Sequence, residues 1–145
     1  MNSTQNYGNH RRLVKGYHVL LFFLLTVGLI GSVVNLVASF NNSTNLYSAS
    51  LICLLFMTVS ILAYYARVFA LKAQDRAIKA EENFRFFVLT GKPLDKRLRT
   101  SQIIALRFAA DTEIVELAIR AAEENLSNKE IKLLIKEWRP DFHRV

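Results

Sequence analysis

From Gly16 to Ala66 the chain carries no Asp, Glu, Lys or Arg, and all 19 basic and 12 acidic residues fall outside this stretch. A charge-free run of this length marks a chain built for a bilayer. The polar knot Asn41-Asn42-Ser43-Thr44-Asn45 divides the run. Tyr17–Phe40 precedes the knot, and Leu46 to about Leu71 follows it. Each arm supplies the ~20 residues that cross a hydrocarbon layer of ~30 Å. The whole run is too long for one span, and the knot is too polar to sit in lipid with its backbone unpaired. The expectation is a two-span transmembrane hairpin over residues 17–71, with spans at about 17–40 and 46–71 and a very short turn.

Lys and Arg placement gives the orientation. Arg11, Arg12 and Lys15 flank the first arm, Arg67, Lys72, Arg76 and Lys79 flank the second, and the turn has none. The 1–16 tail and the 72–145 helical region are therefore expected in the cytoplasm. A cleaved signal peptide is the rival reading, with Val37-Ala38-Ser39 as a small-residue cleavage site. Against it, the apolar run is about twice a normal signal core and a second span follows. Asn42-Ser43-Thr44 fits a glycosylation acceptor, but nothing else suggests a secretory context.

The net charge of +7 is uneven. Residues 1–15 carry +3, residues 67–107 carry +6 and residues 108–145 carry −2. A basic collar beside a membrane satisfies the topology rule and attracts anionic head groups. It does not point to nucleic acid. The single Cys53 lies inside the second arm, so neither an internal disulfide nor a thiolate cluster can form.

Beyond the membrane the pattern stays helical. Ala66 to about Leu89 contains no Pro or Gly and reads as one long juxtamembrane helix leaving the bilayer. Ala70, Ala73, Ala77, Ala80, Phe84 and Phe87 recur at steps of three and four, an apolar stripe suited to packing on a neighbouring helix, in the same chain or another copy. Thr90-Gly91-Lys92-Pro93 should end this helix. Three shorter helices are expected after it. The first spans about Leu94–Ala109, with a break near Thr100. The second has Asp111 as N-cap, with Ile114, Leu117, Ala118 and Ala121 on one side. The third opens with the capping box Ser127 and Glu130, and Ile131, Leu134, Ile135 and Trp138 follow. No segment alternates at period two, so the predicted fold class is all-α: a hairpin, a long helix and a small cytoplasmic helical bundle.

In the first span, Gly28, Gly31, Ser32, Asn35 and Ser39 fall near one helical side, with Ala38 beside them. Gly28 and Ser32 have the small-xxx-small spacing that lets helices approach closely in lipid. This span-packing face is read as a contact within the hairpin, as a homo-oligomer or partner contact, or as a conduction path lined by Asn35. Ala49, Cys53 and Ser60 are its matching small residues in the second span. Lys96, Arg97 and Arg99 form a basic cluster, read as a solvated face or a contact with membrane lipid. Trp138, Phe142 and Val145 are expected to pack back over the helical core or else to form a docking element.

No chemistry-bearing pattern stands beside these. His10, His18 and His143 are scattered, so no metal site is read. No Gly-x-Ser-x-Gly elbow or phosphate-cradling glycine loop occurs, and no cofactor is implied. Asp95 with Asp111, or Glu123 with Glu124, read as caps and solvated faces rather than acid pairs.

Three segments carry a resemblance: Arg67-Val68-Phe69-Ala70-Leu71-Lys72-Ala73-Gln74-Asp75-Arg76, Gln102-Ile103-Ile104-Ala105-Leu106-Arg107-Phe108-Ala109, and Ile135-Lys136-Glu137-Trp138-Arg139-Pro140-Asp141. On these the chain resembles an uncharacterised family of short bacterial two-span inner-membrane proteins with a helical cytoplasmic tail. The resemblance implies a bacterial inner membrane and no activity. The functional expectation is a non-catalytic integral membrane protein, either an assembly or accessory subunit of a membrane complex or a homo-oligomer. The alternative is a membrane-anchored sensor or regulator whose basic helices bind a soluble partner or anionic lipid.

Overall fold

The computed structural model describes residues 6, 8, 14–41 and 43–141, the Ser43 side chain excepted. Arg11, Arg12, His10, Asn42, Phe142, His143 and Val145, all named above, lie outside the described residues. Regular structure among the described residues is all helical. A π-helical turn, Gly16–Leu21, leads into α1 (Phe22–Ala38); α2 (Ser43–Thr90), α3 (Thr100–Leu106), α4 (Ile114–Glu123) and α5 (Asn128–Leu134) follow. The chain divides into two compact units, Leu13–Ala70 and one built on Leu71–Val145.

Two helices are long and apolar enough to cross a membrane: Gly16–Ala38, which lies in the first unit, and Thr44–Thr90, which begins there. Buried residues are few in that unit: Ser32, Ser39, Ala49 and Cys53. The hydroxyls follow one rule. Thr26, Ser32, Ser39, Ser50, Thr58 and Ser60 each donate to a carbonyl three or four residues back in their own helix, at 2.7–2.9 Å. Each of these six hydroxyls is thereby satisfied without water.

In the second unit α2 ends where Gly91 turns left-handed, at φ 70°. Glycine alone enters that region at no steric cost. The expected helix over Leu94–Ala109 is shorter and begins at Thr100. Pro93 cannot continue α2. The Leu94 N–H is taken by Asn83 Oδ1 at 2.9 Å, and the Arg97 N–H by Asp95 Oδ1 at 2.8 Å. Such local side-chain bonds compete with a helical turn.

The Asp111 cap is not formed: α4 is preceded by Glu113, and Asp111 instead accepts from Arg85 at 2.6 Å. Asn125, with φ 51°, ends α4 in a Schellman turn, the Leu126 N–H reaching the Ala121 carbonyl at 3.3 Å. The Ser127–Glu130 capping box forms as expected. However, α5 stops at Leu134, and Ile135 is extended. Trp138 therefore lies past the helix, in a single antiparallel bridge to Ala109. Its ring packs 5.0 Å from Phe108. Phe86, Leu98, Leu106, Phe108, Ile114 and Ile131 lie in one core with Trp138 against it.

The alanine stripe does not face this core. The buried side of α2 in this unit is Ile78, Glu82 and Phe86, while Ala73, Ala77, Ala80, Phe84 and Phe87 are exposed.

Candidate functional site

Three places merit a chemical reading. The first is the span-packing face of α1. Gly28 lies against Phe56, whose ring carbons crowd the position a Cβ would take. Ser32 and Ser39 are buried, and Asn35 is half-buried. Asn45 donates to Ser39 Oγ at 2.7 Å, which fastens the polar knot. At the other end the Tyr17 hydroxyl donates to the Ala63 carbonyl at 2.5 Å. Gly31 stands apart: it is exposed and a Cβ there would meet nothing within 4 Å. The structure thus gathers Gly28, Ser32 and Ser39 and leaves Gly31 open. The matching residues Ala49 and Cys53 are buried, but Phe56, a large residue, fills the notch that Gly28 leaves. A search for small residues alone misses it.

The second place is the basic cluster. Arg97 is held by Asp95 through a guanidinium pair at 2.8 Å. Its side-chain hydrogen bonds, then its backbone N–H, lower the exposed Asp95 carboxyl from 3.8 to about 2, and the same pairing raises Arg97. Because the folded value is depressed, this pair adds stability above the ordinary value of 3.8 and loses it as pH falls through about 2. We expect Arg97→Gln to return the Asp95 midpoint toward 3.8 in a carboxyl-detected NMR titration. An unmoved midpoint would mean another group sets it. The Arg99 N–H is taken by Gln102. Lys96, by contrast, is exposed on a depression of about 440 Å³, rimmed also by Arg76 and Lys79 and floored by Pro93, Leu94, Leu98 and Ile103.

The third place is a polar cleft of about 410 Å³ lined by Gln74, Ile78, Glu81, Glu82, Arg107, Arg139 and Asp141. Glu82 is buried, and Arg85 bonds it at 3.0 Å while also donating to the Ala109 carbonyl and to Asp111. Arg107 pairs with Asp141, and Arg139 lies 4.0 Å from Glu82. A buried carboxylate is tolerable only with such partners. These charges serve one another and join α2 to the 107–111 and 139–141 segments. Sequence periodicity hid this role, because Glu82 is the charged member of the buried Ile78–Phe86 side. Among the described residues no three His, Cys, Asp or Glu are placed to hold a metal.

The model of a family of unknown function (DUF6526) matches residues 1–145, the whole chain. The chain belongs to this family. Searches of curated proteins and of solved structures gave no match. DUF6526 membership names no activity, so the residues must supply the function.

Proposed function

We propose that this DUF6526 protein is a non-catalytic integral membrane protein that works by assembly, as a homo-oligomer or an accessory subunit of a membrane complex. It belongs, in this reading, to a bacterial inner membrane, crossing it twice with both termini in the cytoplasm. Support for the hairpin comes from the contacts within Leu13–Ala70: Tyr17 meets Ala63, Gly28 meets Phe56 and Ser39 meets Asn45. The partner numbers fall as α1 is followed forward, as two antiparallel spans require. The large uncovered side chains Phe22, Phe23, Ile30, Leu54, Leu62 and Tyr64 suit lipid rather than water.

The observation that carries assembly is the exposed stripe of α2 beyond the charge-free run, which no described part of the chain covers. The test is a tagged pull-down from gently solubilised native membranes, with the complex mass measured. A stoichiometric partner or a multiple of the chain mass is expected. A strictly monomeric protein with nothing bound would overturn the reading.

The Lys96 depression favours a second reading, a regulator whose basic helices meet anionic lipid. Its cations stand over an apolar floor, which matches a phospholipid head and its first carbons. Under this reading Lys79→Gln with Lys96→Gln should cut retention of anionic over zwitterionic lipid about tenfold in native mass spectrometry, for two cations at ~1 kcal/mol each and partial screening. Arg97→Gln should change it little, since Asp95 already holds that cation. Equal losses would remove the depression as the site.

A further inference from the structure

The exposed face of α2 has a finer order than a stripe. Ala70, Ala73, Ala77, Ala80, Phe84 and Phe87 succeed one another at strictly alternating steps of three and four. That is the heptad of a coiled-coil seam, with Ala70, Ala77 and Phe84 at its a positions and Ala73, Ala80 and Phe87 at its d positions. A helix meant only for its own core has no need of this second seam. Its own core takes the other side, Ile78, Glu82 and Phe86. Phe84 and Phe87 are 68% and 50% exposed. Val88, 67% exposed, borders the seam.

The flanking charges name the occupant. Arg76 stands at a g position and Glu81 at the following e position. In a parallel pair of helices, g of one faces e of the other five residues on. Arg76 would then face the partner's Glu81, and Glu81 the partner's Arg76. One copy is thus complementary to another at both flanks. An antiparallel pair sets g against g and e against e, and so places like charges together. Arg76 and Glu81 are both exposed and neither pairs with a described residue.

We propose that this face of α2 is a self-association surface, on which a second copy lies parallel, seam to seam, with Arg76 of each copy paired to Glu81 of the other. The proposal rests on the membrane-spanning assembly reading, since copies inserted alike in one bilayer run parallel. So short a seam is marginal for free helices. Anchoring both copies in one membrane makes the contact effectively intramolecular. The alanines let the helices approach closely, and the phenylalanines supply apolar area at one end.

The test uses the full chain in its membrane, with Cys53→Ala as background and one new cysteine. Oxidation should convert Ala77→Cys mainly to a disulfide-linked dimer, because identical seam positions meet in a parallel pair. Asp75→Cys, on the opposite side of the seam, should stay monomeric. Adding Arg76→Glu or Glu81→Arg to Ala77→Cys should lower dimer yield about fivefold, and the double exchange should restore it. Both charge changes are at exposed sites, and unchanged helical circular dichroism will show that the fold survives. Equal cross-linking at positions 75 and 77, or no recovery in the double exchange, would overturn the seam. An oligomer of unchanged mass with uncrosslinked Ala77→Cys would overturn it too, while leaving assembly standing; a monomer with nothing bound would end both.

Discussion

Replacing Gln102 by Leu is expected to destabilise the Leu71–Val145 unit by about 2–4 kcal/mol, the cost of leaving several buried polar groups without partners. Gln102 is 1% exposed, yet its amide is satisfied on both sides. Its Oε1 accepts the Arg99 N–H at 2.7 Å, at the start of α3. Its Nε2 donates to the Leu126 carbonyl at 2.8 Å and the Ala121 carbonyl at 3.3 Å, at the end of α4. One side chain therefore completes the first turn of one helix and the last turn of another. Leucine fills similar space but meets none of the three. The readout is the denaturant midpoint followed by Trp138, the only tryptophan, which packs on Phe108 in the same core. Gln102→Leu with a wild-type midpoint would mean that water replaces the amide at no cost.

The second large effect belongs to Gly28. We expect Gly28→Leu to destabilise the Leu13–Ala70 unit by about 1–3 kcal/mol through overpacking, because Phe56 occupies the space a side chain needs. Phe56→Ala in the same chain should recover most of the loss. Gly31→Leu should leave the isolated chain unaffected, since nothing lies near a Cβ at that position. The measurement is thermal unfolding of detergent-solubilised protein by far-ultraviolet circular dichroism. Equal loss at Gly28 and Gly31 would sink the argument and would place a second chain on Gly31.

How much of this was legible beforehand depends on the kind of signal. The charge-free run gave two apolar helices, and the Ser127–Glu130 box gave the start of α5, because both patterns are local. The end of α2 at Gly91 was equally local. Periodicity did not rank the two apolar sides of one helix. The alanine stripe is the cleaner pattern, yet Ile78, Glu82 and Phe86 are buried, and no spacing rule ranks a face containing a glutamate above one of alanines. Asp111 had the right residue type for a cap, but Arg85, 26 residues earlier, claims its carboxylate. Trp138 continued the helical spacing of α5, while the bridge to Ala109 holds it extended. Gln102 gave no signal, since the two carbonyls that its amide nitrogen meets lie 19 and 24 residues away.

The joints of the second unit share one construction. Asn83 holds the Leu94 amide, Gln102 holds Arg99 and Leu126, and Asn128 donates to the Ser101 carbonyl. Glu113 takes the Lys136 and Glu137 amides. An endoprotease must draw several residues of extended chain into its cleft, and loops normally offer them first. Here these connections are tied by side chains that stand in a helix or, at Glu113, directly before one. Cleavage between Gly91 and Pro140 thus has to wait for the helices themselves to open, so the unit should pass from intact to fragments without a stable nicked form.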